Sequence, residues 1–190
     1  MKKGERVMKT VYFDMDGVMA KYDYDLYVPK RENEVPPFLK LGSHVFLYLE
    51  PMKNVMEAFN ILYKRYKDNP DVRIKVLTSI PVGLLQAEHT LDKYTWCVSN
   101  IEEFHTEDFF CTSVKKHNAI ADTLWNLTEN DILVDDWNAN LYNWREHGGY
   151  ALKLVNEINS VNPDFDYIKS AWDSKRIAES IISLIEGEAA

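Results

Sequence analysis

The chain has 190 residues, a formal net charge of -8 and 46% hydrophobic residues, which suits one soluble domain spanning 1–190 with a sizeable core. The acidic balance, with no basic block, excludes a nonspecific nucleic-acid binder, and no apolar run reaches membrane-spanning length. Cys97 and Cys111 form neither a disulfide framework nor a zinc spacing, and residues 1–9 are polar and basic with no apolar segment behind them, so we expect a cytoplasmic protein with reduced thiols and no signal peptide.

Val11-Tyr12-Phe13 is a short strand-prone run that leads into Asp14-Met15-Asp16-Gly17-Val18. Alternation along extended chain lets Asp14 and Asp16 face one way, and Gly17 permits a sharp turn. Residues 19–48 lose periodicity and contain Pro29 and Pro36-Pro37, which reads as an inserted loop or minimal cap. Met52, Val55, Met56, Phe59, Leu62, Tyr63 and Tyr66 recur at helical spacing and predict a helix over 51–67. Ile74 to Leu77 reads as a second strand ending at Thr78-Ser79, and Pro81 as the opening of a helix over about 81–98. Phe109 to Thr112 makes a third strand, followed by a helix over 115–127. Ile132-Leu133-Val134 makes a fourth strand, ending at Asp135-Asp136. A helix over 138–147 stops at Gly148-Gly149, Tyr150 to Val155 makes a fifth strand, and a helix near 173–186 closes the chain. Strands alternating with helices predict an α/β fold of three layers around a central parallel sheet, Rossmann-like, with both faces covered.

In such a sheet ligands bind outside the carboxyl ends of the strands. Those ends carry Asp14 and Asp16, Thr78 and Ser79, then Lys115 and Lys116, then Asp135 and Asp136. Four carboxylates in one cleft repel by about 4 kcal/mol per close pair in a partly screened site. A divalent magnesium ion, hard and oxygen-seeking, relieves that repulsion and can also meet a phosphate oxygen. Thr78 and Ser79 offer a hydroxyl and backbone N–H donors to phosphate, and a lysine adds a point charge.

With this order of motifs, from about residue 10 to 155, the chain resembles the haloacid dehalogenase-like (HAD) phosphatases. It is similar more narrowly to the 5′(3′)-deoxyribonucleotidases, through Phe13 to Val18, Leu49-Glu50-Pro51, Thr78-Ser79 followed closely by proline, and Lys93-Tyr94-Thr95-Trp96. The resemblance implies a magnesium-dependent phosphoric monoester hydrolase that works through an aspartyl-phosphate on Asp14. Asp16 would act as general acid and then base, and would give the metal its backbone carbonyl. Asp14 and Asp135 would be metal ligands, with Asp136 behind them. Thr78, Ser79 and Lys115 would hold the phosphoryl oxygens, with Lys116 as the alternative to Lys115. The substrate implied is a small phosphomonoester, a nucleotide first and another phosphorylated metabolite second. A receiver-like switch also uses an acidic pair, a Thr/Ser and a Lys, but there the phosphorylated aspartate lies on a later strand.

The nucleotidases carry a cap of several helices before the helix that opens at Pro51, whereas only about thirty residues stand here. Tyr22, Tyr24, Tyr27, Phe38 and Phe46 either stack on a substrate or pack the insertion onto the core. The five histidines show no metal-ligand spacing. The tryptophans, Trp125, Trp137 and Trp144 among them, read as packing residues, and Asn138 or Asn140 stands close enough in sequence to support the acidic pair.

Overall fold

The computed structural model describes residues 8–23, 34–120 and 126–187. The expected α/β architecture is present. Six parallel strands, β1 (Lys9–Phe13), β2 (Val72–Ser79), β3 (Phe109–Thr112), β4 (Asp131–Asp135), β5 (Tyr150–Val155) and β6 (Asp166–Lys169), form one sheet in the order β3-β2-β1-β4-β5-β6. The helices are α1 (Lys53–Tyr66), α2 (Gln86–Asn100), α3 (Lys116–Ile120), α4 (Asn138–Glu146) and α5 (Ser174–Glu186).

Strand alternation divides the core in two. Val11, Phe13, Val76, Ile132, Val134, Leu152 and Leu154 pack with α1, α5 and Trp96 and Cys97 of α2. Tyr12, Leu77, Leu133 and Ala151 pack with Leu141 and Trp144 of α4. β1, β4 and β5 therefore bury both faces, which is why β1 and β4 read as continuous apolar runs rather than alternating ones. Phe13 meets Phe59 of α1 edge-on at 5.0 Å, and Tyr12 meets Trp144 edge-on at 5.4 Å on the opposite side. Full burial of one such ring stabilises by about 2–3 kcal/mol.

Two helix boundaries and one additional strand differ from the sequence expectation. The helix expected from Pro81 begins at Gln86, because Pro81, Val82 and Gly83 form an irregular lead-in. β6 was not expected: it is a four-residue edge strand in which only Ile168 is buried, so it carries no apolar run. The helix expected over 115–127 is helical over Lys116–Ile120, and residues 121–125 lie outside the described residues. Within the insertion, Pro37–Leu39 and Val45–Tyr48 are single 3-10 turns, and Tyr24 and Tyr27 lie outside the described residues. Phe46 is 1% exposed and meets the His89 ring edge-on at 5.0 Å, so it packs the insertion onto α2. Among the described residues no helix is long and apolar enough to cross a membrane.

Strand order brings β1 and β4 side by side, with β2 on the other flank of β1. Phe13 is paired with both Val76 and Val134, so the carboxyl ends of the three strands lie level. The chain order of the strands reverses direction across the sheet between β1 and β4, and a crevice opens at such a point.

Candidate active site

The crevice begins where β1 stops. Asp14 N–H still bonds to Val134 O at 3.0 Å. The chain then folds over Met15, whose carbonyl accepts from the N–H groups of Val18, Met19 and Ala20 at 3.2, 2.9 and 2.8 Å. Gly17 sits at φ +78°, and a Cβ there would lie 2.5 Å from Asp136 Oδ2. Glycine is therefore required both for its backbone conformation and for the close approach of the acidic pair.

This turn separates the two acids that alternation alone would place together. Asp14 Oδ1 pairs with Lys116 Nζ at 2.8 Å, and the same ammonium reaches Asp135 Oδ2 at 2.6 Å. Asp16 Oδ2 pairs instead with Lys93 Nζ of α2. Lys93 also donates to Thr78 Oγ1 at 2.9 Å and to Ser79 O at 2.8 Å. Asp14 and Asp16 thus face different cations, because the regular strand ends at Phe13.

The acidic pair is divided as well. Asp135 is fully buried and accepts from Trp137 N–H on Oδ1 (2.8 Å) and from Asn140 Nδ2 on Oδ2 (3.0 Å), besides Lys116. The hydrogen bonds to Asp136 fall on Oδ2, from Asn156 Nδ2 at 3.0 Å and Asn159 Nδ2 at 3.4 Å. Asn156 also donates to Gly17 O at 2.7 Å, which ties the β1 turn to the loop after β5. Buried Lys153 donates to Asp136 O at 3.0 Å and to Asn138 Oδ1 at 2.8 Å. Carboxylate oxygens of Asp14, Asp135 and Asp136 lie within 4.8 Å of one another.

Burial dominates the electrostatics. It raises the Asp16 carboxyl above the usual range, opposed by Lys93 and helped by Asp14. Asp136 is raised to about 7 by burial, then by the charges of Asp135 and Asp14, with Asn156 opposing. Burial lifts Asp135 too, against Lys116. Lys116 is raised because its two carboxylate partners outweigh its own burial. Asp16 Oδ1 is buried with no hydrogen-bond partner among the described residues.

Of the residues expected from sequence, Asp14, Lys116, Asp135 and Asp136 converge on one space, with Asp16 and Thr78 joined beside it through Lys93. Ser79 contributes its carbonyl to Lys93, and its side chain is exposed. Lys115 is not part of this group: its Nζ donates to Asn143 Oδ1 at 3.0 Å on the surface. Lys116 opens α3 and turns its side chain into the crevice, whereas Lys115 stands just before the helix and turns to Asn143. Asn140 and Asn138 both support the acidic pair, and Trp137 is 65% exposed rather than packed.

Sequence spacing missed Lys93, Lys153 and Asn156. Lys93 left a trace. His89, Asp92, Lys93, Trp96 and Cys97 form the buried face of α2, and polar groups at apolar spacing mark a site or a paired network. Asn156 left none, because its partners come from distant loops.

The donor set fits a divalent cation. It consists of oxygens alone, as a hard ion prefers. Among the described residues Asp136 Oδ1 carries no hydrogen bond, and four carboxylates outnumber the ammonium groups of Lys93, Lys116 and Lys153.

No family model matches the chain, and the search of curated proteins gives no match. A solved structure from Mesorhizobium loti, described as a "putative HAD-like phosphatase", shares the fold with a TM-score of 0.55 at 9% sequence identity, over 96% of this chain and 88% of that one.

Proposed function

We propose that the crevice is the active site of a magnesium-dependent phosphomonoesterase that acts through an aspartyl-phosphate, with nucleotides as its first substrate class. The observation that carries this reading is the convergence of Asp14, Lys116, Asp135 and Asp136 on one space, with Thr78 and Asp16 bridged by Lys93 beside it.

Asp14 is the nucleophile: Oδ1 is held by Lys116, and Oδ2 attacks phosphorus as the bond from phosphorus to the leaving oxygen breaks. Asp16 protonates that leaving oxygen, and its raised carboxyl suits the role. Asp16 then takes a proton from the water that attacks the phosphorylated Asp14, which frees the carboxylate and inorganic phosphate. Lys116 and Lys93 supply positive charge on two sides, and Thr78 supplies a hydroxyl. Asp14 and Asp136 would hold the cation, together with the Asp16 carbonyl. Asp135 sets Lys116 and the loop after β4, since both of its oxygens are already engaged. This exchanges the roles first expected for the acidic pair. When bound, the cation supplies charge neutralisation at the phosphoryl group.

The nucleotide preference rests on the resemblance to the deoxyribonucleotidases, and its separate segments are neighbours in space. Trp96 Nε1 donates to Leu49 O at 2.8 Å, Lys93 reaches Thr78 and the Ser79 carbonyl, and Pro51 bridges to Ala20 after the β1 turn.

The test is phosphate release from a panel of nucleotides and sugar phosphates with magnesium. Turnover of some member, abolished by EDTA and by Asp14→Asn, supports the reading, and highest turnover on nucleotides supports the preference. No release from any member, or full turnover by Asp14→Asn, overturns it.

A further inference from the structure

A second polar cluster lies outside the crevice, where the insertion meets α2. His44 Nδ1 lies 3.0 Å from Asp92 Oδ1. Glu88, one helical turn before Asp92, accepts the Gly42 N–H on both oxygens, at 3.1 and 3.0 Å. One ligand atom from each of His44, Glu88 and Asp92 lies within 4.8 Å of the others. Glu88 and Asp92 stand four apart on the same helical face, a spacing at which like charges repel.

An independent observation concerns what the cluster lacks. Asp92 is 2% exposed, yet its Oδ2 is buried with no hydrogen-bond partner among the described residues. Leaving a buried carboxylate oxygen without a donor is costly, and structures rarely tolerate it unless a cation or water completes the group. His44 is half exposed, and its hydrogen bond to Asp92 engages Oδ1. Ser43 Oγ, between Gly42 and His44, is also buried without a partner among the described residues.

From the donor set we infer that His44, Glu88 and Asp92 bind a divalent transition-metal ion of the zinc type, which clips the insertion to α2. One imidazole nitrogen with two carboxylates suits zinc and its neighbours, whereas magnesium prefers oxygen alone. Three protein ligands leave a fourth position for water. Zinc bonds of about 2.0–2.2 Å require the three side chains to draw together, and Glu88 and His44 are exposed enough to do so. The ion takes the place of the proton between Nδ1 and Oδ1 and gives Asp92 Oδ2 a partner. Lys93, the next residue along α2, reaches Asp16 and Thr78. The clip therefore fixes the helix that delivers this lysine. It is independent of whether the crevice hydrolyses phosphate.

Calorimetric titration of the full chain with zinc alone, in excess magnesium to occupy the aspartate cluster, tests the site. One zinc ion per chain is expected, with affinity weakened about tenfold or more by His44→Ala and by Glu88→Gln and unchanged by Asp14→Asn. Zinc should raise the melting temperature of the wild type and of Asp14→Asn, and of neither ligand variant. If His44→Ala fails to fold, Glu88→Gln, which keeps the side-chain shape, decides the matter. No zinc uptake, uptake indifferent to Glu88→Gln, or uptake lost in Asp14→Asn overturns the proposal.

Discussion

Two adjacent lysines show how much one residue's direction decides. Lys116 is 3% exposed between two carboxylates, while Lys115 bonds to Asn143 at the surface. A buried ammonium is tolerable when paired, and removing it leaves Asp14 and Asp135 facing one another uncompensated. We expect Lys116→Met to lower kcat by about a hundredfold or more, the size of effect seen when one preorganised charge-stabilising donor is lost. Lys115→Met should stay within about threefold, as a surface hydrogen bond contributes little. Steady-state kinetics on the best substrate of the panel checks this, and equal losses in the two variants would contradict the placement. Lys93 presents the same lesson from a different helix. Its ammonium is wholly buried against Asp16, Thr78 and the ring of Phe46, 4.6 Å from the ring centroid. A lysine at that depth needs each of those partners.

At the scale of elements, the turn after β1 governs the site more than the strand itself. Met15 O gathers three N–H groups, and Gly17 meets Asp136 where a side chain has no room. Gly17→Ala would combine an unfavourable φ with a clash against Asp136, a cost of about 2 kcal/mol or more. Urea denaturation should show that loss, with the midpoint shifted and the slope unchanged. A change below about 0.5 kcal/mol, the range of ordinary surface substitutions, would contradict the close approach. The closing helix makes the opposite case, in which local signals suffice. Asp173 caps α5 by accepting the Arg176 N–H at 3.0 Å, Ile177, Ala178, Ile181 and Ile185 form its buried stripe, and Gly187 ends it at φ 73°. Its range was therefore readable directly, whereas α2 begins five residues after its proline because the lead-in has no such cap.

For the molecule as a whole, α3 meets the C-terminal end of α4 through a pair of stacked imidazoles, His117 and the capping residue His147, with ring centroids 3.6 Å apart. His117 lies below its ordinary value of 6.5, first through burial, then through His147 and Lys115, with Asn118 and Glu146 opposing. The unfolded chain therefore binds more protons than the folded one as pH falls through about 6.5. The contribution of His117 is fully present above that pH and is lost below it. Asp136, raised to about 7, titrates in the same range with the opposite sign. The readout is therefore the difference between two proteins: as pH falls from about 7.5 to 5, the wild type should lose melting temperature relative to His117→Gln. Parallel curves for the two proteins would show that this contact does not titrate with folding.

The sequence by itself determined the fold class, the order of the chemical groups and the strand ends on which they stand. Asp14, Thr78 and Asp135 each follow a short apolar run, and period and punctuation are local properties of a chain. Only the tertiary structure decided which of those groups meet. Alternation placed Asp14 and Asp16 on one side, but the turn at Gly17 sends them to Lys116 and Lys93, on helices that pack on opposite faces of the sheet. The choice of Lys116 over Lys115, the entry of Lys93, and the pairing of Asn156 with both Gly17 and Asp136 depend on contacts between segments far apart in the chain. His44, Glu88 and Asp92 form a cluster for the same reason: ligands from two elements have no sequence spacing to read, and only packing brings them together.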